Sequence, residues 1–214
     1  INRNRKIISP KYCPVCGSKT LKEKDEAIIR CENNFSCEAQ ILGHLEHFVS
    51  KKGLNIDGFG KKQLLQFWEN GYIKNYIDIF KIEKYRNKIL KLEGWGQTSF
   101  ANLLDSCESS KIIRFEKFIY SLSIRYVGET ISLLLAREFK NINNLINNVE
   151  TKGILSNIDG LGPKVVDSIR SYFQNEANKQ SVLELAGILK IQSYQKTKLK
   201  NKFNGKNLVF TGKL

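Results

Sequence analysis

The sequence predicts a mainly α-helical chain headed by a small cysteine-bearing module and ending in the start of a further strand. Three observations carry this. Four cysteines fall in two close pairs within the first 37 of 214 residues, apolar residues recur at helical spacing through the middle, and short Gly-x-Gly turns return at a near-constant interval.

The cysteines come first. Cys13-x2-Cys16 forms one pair and Cys31-x5-Cys37 the other, with fourteen residues between the pairs. Two intervening residues let a knuckle aim both thiolates at one point, and Pro14 and Gly17 supply its turn chemistry. The fourteen-residue gap suits a short hairpin. Four soft thiolates at this spacing suit a closed tetrahedral zinc site with no open position, hence a structural one. Two disulfides are the competing reading. It sits poorly with the absence of an apolar signal segment and with an odd fifth cysteine, Cys107. His44 and His47 follow closely, but the cysteines already complete the coordination, so a helix-face or core role is expected for both.

The turns come next. They read Ile56-Asp57-Gly58-Phe59-Gly60, Leu92-Glu93-Gly94-Trp95-Gly96, Ile124-Arg125-Tyr126-Val127-Gly128 and Ile158-Asp159-Gly160-Leu161-Gly162, with starts 36, 32 and 34 residues apart. One-sided apolar stripes follow the later three: Phe100, Leu103, Leu104 and Cys107; Ile131, Leu134, Leu135 and Phe139; Val165, Ile169, Tyr172 and Phe173. Cys107 lies on such a stripe and reads as a small core residue. Phe115, Phe118, Ile119 and Leu122 form a stripe before the third turn. Each unit is therefore expected to be helix, tight turn, helix. Four units should stack in two pairs, because one alone cannot bury its apolar face.

Such turns have a chemical use. Glycine allows backbone angles barred to other residues and leaves no side chain outside. Bare N–H groups at a helix N-terminus, where the dipole is positive, suit a phosphate oxygen. The candidate backbone-contacting residues are Gly58, Gly60, Gly94, Gly96, Gly128, Gly160 and Gly162, with Lys61, Lys62, Arg125 and Lys164 adding charge. Asp57, Glu93 and Asp159 are expected to shape the turns or cap the helices rather than hold a catalytic metal. The formal net charge of +14 points to a polyanionic partner, and no apolar run is long enough to span a membrane. The chain lacks methionine and begins with Ile1, which predicts an internal fragment of a longer protein.

Taken in order, these parts resemble the C-terminal half of bacterial NAD-dependent DNA ligase. Ser9-Pro10-x-x-Cys13-Pro14-x-Cys16-Gly17 is similar to the start of that family's zinc finger, and Ile124-Arg125-x-Val127-Gly128-Glu129-Thr130 to its third helix-hairpin-helix motif. Gly205-Lys206-Asn207-Leu208-Val209-Phe210-Thr211-Gly212 resembles the first strand of a BRCT domain. The resemblance implies the tail of an OB domain over 1–8 and a four-cysteine zinc finger over 9–45. A helix-hairpin-helix domain over 46–187, a basic linker over 188–203 and the start of a BRCT domain over 204–214 would follow. It implies a parent enzyme that uses NAD and magnesium to seal nicks during replication and repair. Its partner would be double-stranded DNA, preferably nicked, and it would be monomeric and cytoplasmic.

The departures are specific. The family's adenylated lysine lies in a K-x-D-G motif that this chain lacks; Lys91-Leu92-Glu93-Gly94 is the nearest string and belongs to the second turn. No catalytic residue is therefore assigned, and the stretch alone is expected to be inactive. Tyr126 stands where the repeat puts its first glycine. A bulky residue disfavours positive φ, which puts that turn's backbone contact in question. The rival readings are a non-enzymatic helix-hairpin-helix repair or recombination factor, and a zinc-ribbon interaction module whose hairpins only pack.

Overall fold

The computed structural model describes residues 9–22, 26–33, 36–151 and 153–196. The expected OB tail, the BRCT strand and the distal part of the basic linker lie outside the described residues.

A short antiparallel hairpin, β1 (Thr20–Lys22) and β2 (Ile29–Cys31), opens the fold, with Thr20 opposite Cys31 and Lys22 opposite Ile29. Helix α1 (Glu38–Val49) follows. The expected boundary at residue 45 falls inside this helix. Its first turn adjoins Cys37, while Leu45, Phe48 and Val49 at its far end are buried in the main core. A helix that starts in the cysteine module and ends in the core makes the two parts continuous.

The remaining helices are α2 (Lys61–Glu69), α3 (Tyr76–Phe80), α4 (Arg86–Ile89), α5 (Gln97–Ser109), α6 (Phe115–Ser121), α7 (Glu129–Phe139), α8 (Ile142–Asn148), α9 (Pro163–Gln174) and α10 (Glu176–Ile188). The stripes face inward as their spacing requires. Phe100, Leu103 and Cys107 are buried on α5, Phe115, Phe118 and Ile119 on α6, and Ile169, Tyr172 and Phe173 on α9. Three helices without a clear stripe are fixed by asparagine caps. Asn75 accepts from the Ile77 and Asp78 amides, Asn141 from Asn144 and Asn175 from Asn178, each satisfying donors a helix start leaves orphaned. Not every unit opens with a full helix. The fourth turn is preceded by only a 3-10 turn, Leu155–Asn157.

The four units pack as two reciprocal pairs. In the first, the Asp57 amide donates to Ser106 Oγ on α5 at 2.7 Å, while Trp95 Nε1 of the second turn donates to Gln66 Oε1 on α2 at 2.9 Å. In the second, Gly160 faces Leu134 on α7, and Ser168 Oγ on α9 donates to the Arg125 carbonyl at 2.7 Å. Each turn thus leans on its partner unit's second helix.

The basic stretch after α10 begins as structure. β4 (Lys190–Gln192) pairs in parallel with β3 (Ile112–Arg114), and the Tyr194 amide donates to the Lys140 carbonyl at 2.7 Å. Residues 190–194 are therefore held against the helical core rather than starting as free linker. Lysine content alone hid the half-buried Ile191 and Tyr194 that make this possible. Among the described residues, no helix is long and apolar enough to cross a membrane.

Candidate metal centre and nucleic-acid interface

The Cys13–Cys16 knuckle closes through two backbone bonds, Cys13 N–H to the Ser18 carbonyl at 2.7 Å and Gly17 N–H to the Cys13 carbonyl at 2.9 Å. Gly17 takes φ +70°, a value that favours glycine. Cys31 ends β2, and Cys37 stands just before α1. Three elements thus deliver four sulfurs to one point, all within 4.8 Å of one another. Cys13 and Cys37 Sγ are 3.9 Å apart, and Cys16 and Cys31 Sγ 3.4 Å. Four thiolates about 2.3 Å from a tetrahedral ion stand roughly 3.8 Å apart, so the donor set fits structural zinc. All five cysteines are free, which removes the disulfide reading.

The thiols are not equivalent. The Ser18 hydroxyl and amide pull Cys16 down to about 6, and the Cys16 and Val15 amides lower Cys13. Burial pushes Cys31 up to about 12 and raises Cys37. A divalent cation at the centre would hold all four as thiolates, since coordination requires the deprotonated form. His47 Nε2 hydrogen-bonds the Tyr120 carbonyl at 2.9 Å, which anchors α1 on α6. His44 lines a cleft elsewhere, its pKa lowered by burial and then by His47. Neither joins the sulfur cluster. Burial also pushes the Cys107 thiol up to about 12, consistent with an inert core residue.

The four turns share one construction. The first position has positive φ in every case: Gly58 +92°, Gly94 +83°, Tyr126 +64° and Gly160 +89°. The second glycine, Gly60, Gly96, Gly128 or Gly162, stands as N-cap of the following helix. Between them, Phe59, Val127 and Leu161 are buried and Trp95 half-buried, while all seven glycines are exposed. Sterics explain two of the first positions. A Cβ on Gly58 would meet Leu103 at 3.0 Å, and one on Gly160 would meet Leu134 at 3.1 Å. Packing does not explain the later caps: a Cβ on Gly96, Gly128 or Gly162 would meet nothing within 4 Å.

Tyr126 overturns an expectation. The bulky side chain does not prevent positive φ; the shared turn geometry imposes it, at a cost of about 1–2 kcal/mol. Compensating contacts are visible. The Tyr126 hydroxyl donates to Glu26, and the Arg125 guanidinium lies 4.7 Å from the Tyr126 ring centre. Of the two roles expected for the acidic turn residues, helix capping is not seen. Asp57, Glu93 and Asp159 are exposed, and the following helices carry no side-chain cap from them. The Gly96 amide is instead satisfied by Ser99 Oγ at 2.9 Å. Among the described residues, the four cysteines are the only metal-binding group of His, Cys, Asp or Glu.

The candidate cations lie beside the turns. Lys61 and Lys62 begin α2, where Lys61 Nζ sits 3.7 Å from Glu46, and Lys164 is the second residue of α9. Arg125 is held by Glu26 through two 2.9 Å hydrogen bonds. Sequence reasoning missed Glu26, whose partners lie about a hundred positions away. It also missed the cleft of about 790 Å³ between α1, the third turn, α9 and α10, whose lining includes Arg30, His44, Arg125 and Lys164.

A four-sulfur module continuous with two reciprocal pairs of glycine-turn helices defines a zinc-finger and helix-hairpin-helix class of chain. The comparisons agree. Residues 12–39 match the NAD-dependent DNA ligase C4 zinc finger domain, and residues 117–182 match the helix-hairpin-helix motif. The chain is similar to DNA ligase of Rickettsia prowazekii (strain Madrid E), 38% identical over all of this chain and 33% of that protein. It is similar to DNA ligase of Ehrlichia canis (strain Jake), 40% identical over 98% of this chain and 32% of that protein. A third relative is DNA ligase of Pelagibacter ubique (strain HTCC1062), 41% identical over 99% of this chain and 32% of that protein. The chain is thus similar along its length to DNA ligases, carries the zinc finger domain of the NAD-dependent ones, and spans about a third of the length of these curated relatives.

Proposed function

We propose that this chain is the DNA-binding region of an NAD-dependent DNA ligase. It holds the sugar-phosphate backbone of duplex DNA around a nick and reads no bases. The carrying observation is the uniform build of the four turns. Each puts an exposed glycine cap at a helix N-terminus, and three of those caps face open space where no packing demands a missing side chain. Helix N-termini attract phosphate through their dipole and orphan amides. Lys61, Lys62 and Lys164 add charge-assisted contacts, and such contacts position a protein on DNA without sequence information.

Zinc, bound by Cys13, Cys16, Cys31 and Cys37, staples a module whose described core is too small to stand alone. In the parent protein, NAD and magnesium would act at parts outside this chain, which holds no K-x-D-G lysine. The chain on its own binds but does not seal; the parent works as a cytoplasmic monomer. Band-shift titration of nicked against intact duplex, with and without chelator, tests the reading. It expects tighter binding to the nicked duplex and loss of affinity with chelator. NAD-dependent sealing by the isolated chain, or no duplex binding at low salt, would refute it.

A further inference from the structure

The third turn differs from the others in being covered by the protein's own carboxylate. Glu26 belongs to the segment joining β1 to β2, yet both its oxygens accept from Arg125 Nη2 at 2.9 Å and Oε1 also accepts from the Tyr126 hydroxyl. Arg30 Nε adds a second positive neighbour at 3.6 Å. The Glu26 side chain is only 17% exposed in this setting and that of Arg125 33%. An anion held by a guanidinium, a phenol and a second guanidinium is bound as a phosphodiester oxygen pair would be. We infer that Glu26 is an internal stand-in for phosphate, which masks the third turn until duplex DNA displaces it.

The inference rests on the proposed duplex binding and adds its control. Three observations favour displacement over a purely structural clasp. The donors engaged are those of a turn that shares the αL-then-glycine build of the other three. The segment carrying Glu26 is joined to the metal cluster through β2, whose last residue is Cys31, so zinc fixes where the mask sits. The module has a second attachment in α1, which runs into the core, so losing the Glu26 contact does not detach it. A carboxylate that docking does not require, placed on a turn built like three others, acts as a competitor.

The test uses the zinc-loaded chain and a labelled duplex at fixed moderate salt. Glu26→Gln keeps the shape and removes the charge. Glu32→Gln removes an exposed carboxylate from the same module and corrects for general charge. Glu26→Gln is expected to tighten Kd about three- to fivefold, the scale of one partly exposed ion pair, against less than about twofold for Glu32→Gln. In an Arg125→Gln background the extra gain of Glu26→Gln disappears. Tyr126→Phe, which loosens the mask without removing charge, tightens binding by a smaller factor. Equal effects of the two Glu→Gln variants, or weaker binding by Glu26→Gln with zinc content unchanged, overturn the mask and leave duplex binding standing. Failure of the unaltered chain to bind duplex sinks both.

Discussion

Replacing Gly162 by alanine separates a turn that serves the fold from a turn that serves a ligand. Gly162 caps α9 with φ −75° and ψ 163°, an extended conformation open to any residue and suited to the position before Pro163. A Cβ there meets nothing within 4 Å. Alanine lowers unfolded-chain entropy, a gain of about 0.4–1 kcal/mol. It is a poorer cap than glycine by about 0.5–1 kcal/mol, so the two effects nearly cancel. Stability should therefore move by less than about 0.5 kcal/mol, measured by urea unfolding. Binding should change far more. A methyl on the approach path holds a phosphate oxygen off the amides, and losing one hydrogen bond to a charged group costs about 1.5–3 kcal/mol, a tenfold or greater weakening. Fluorescence anisotropy titration with a labelled duplex measures this. Gly187→Ala, in exposed α10 surface with equally open space, is the control and should leave affinity unchanged. Unchanged affinity in Gly162→Ala, with the fold intact, would refute the idea that phosphates approach these caps.

Other outcomes follow from the same geometry. Gly160→Ala should destabilise by about 1–3 kcal/mol in urea unfolding, because φ is +89° and Leu134 blocks the new methyl at 3.1 Å. Chelation should open residues 12–37 to proteolysis while the helical core, anchored by Phe67, Phe118 and Phe173, keeps its far-ultraviolet signal. The Glu26 carboxyl is held below its ordinary 4.5, first by the Tyr126 hydroxyl and then by Arg125. Its folded pKa is depressed, so its stabilisation is present above the ordinary carboxylate value and fades as pH falls through the lowered one. Tyr126→Phe should raise its titration midpoint toward 4.5, followed by carboxyl NMR; no movement would exclude the hydroxyl as the main cause.

The sequence made legible whatever rests on short-range repetition. Cys13, Cys16, Cys31 and Cys37 announce a shared ion through spacing, and their sulfurs converge. The turns announce themselves through glycine, and the αL geometry recurs at every one. Non-local pairings were not legible. Glu26 meets Arg125 only because the metal-bound hairpin returns to the third turn, and β3 meets β4 across some eighty residues. Neither carries a periodic signal. Tyr126 misled because intrinsic backbone preference, about 1–2 kcal/mol, yields to a turn fixed by buried Val127 and Ile124 on either side. The asparagine cap at 75 could have been found, since a capping residue before the apolar pair Tyr76-Ile77 marks a helix start; those at 141 and 175 precede mixed sequence and carry no such signal.

The central claim is that these helix starts hold phosphates and nothing else on the DNA. Duplex affinity measured across a salt series, on two unrelated sequences, tests it most directly. With roughly six phosphates engaged, the log–log slope is expected near about −5 and the same for both sequences. A slope near zero, or slopes that differ with sequence, would contradict it.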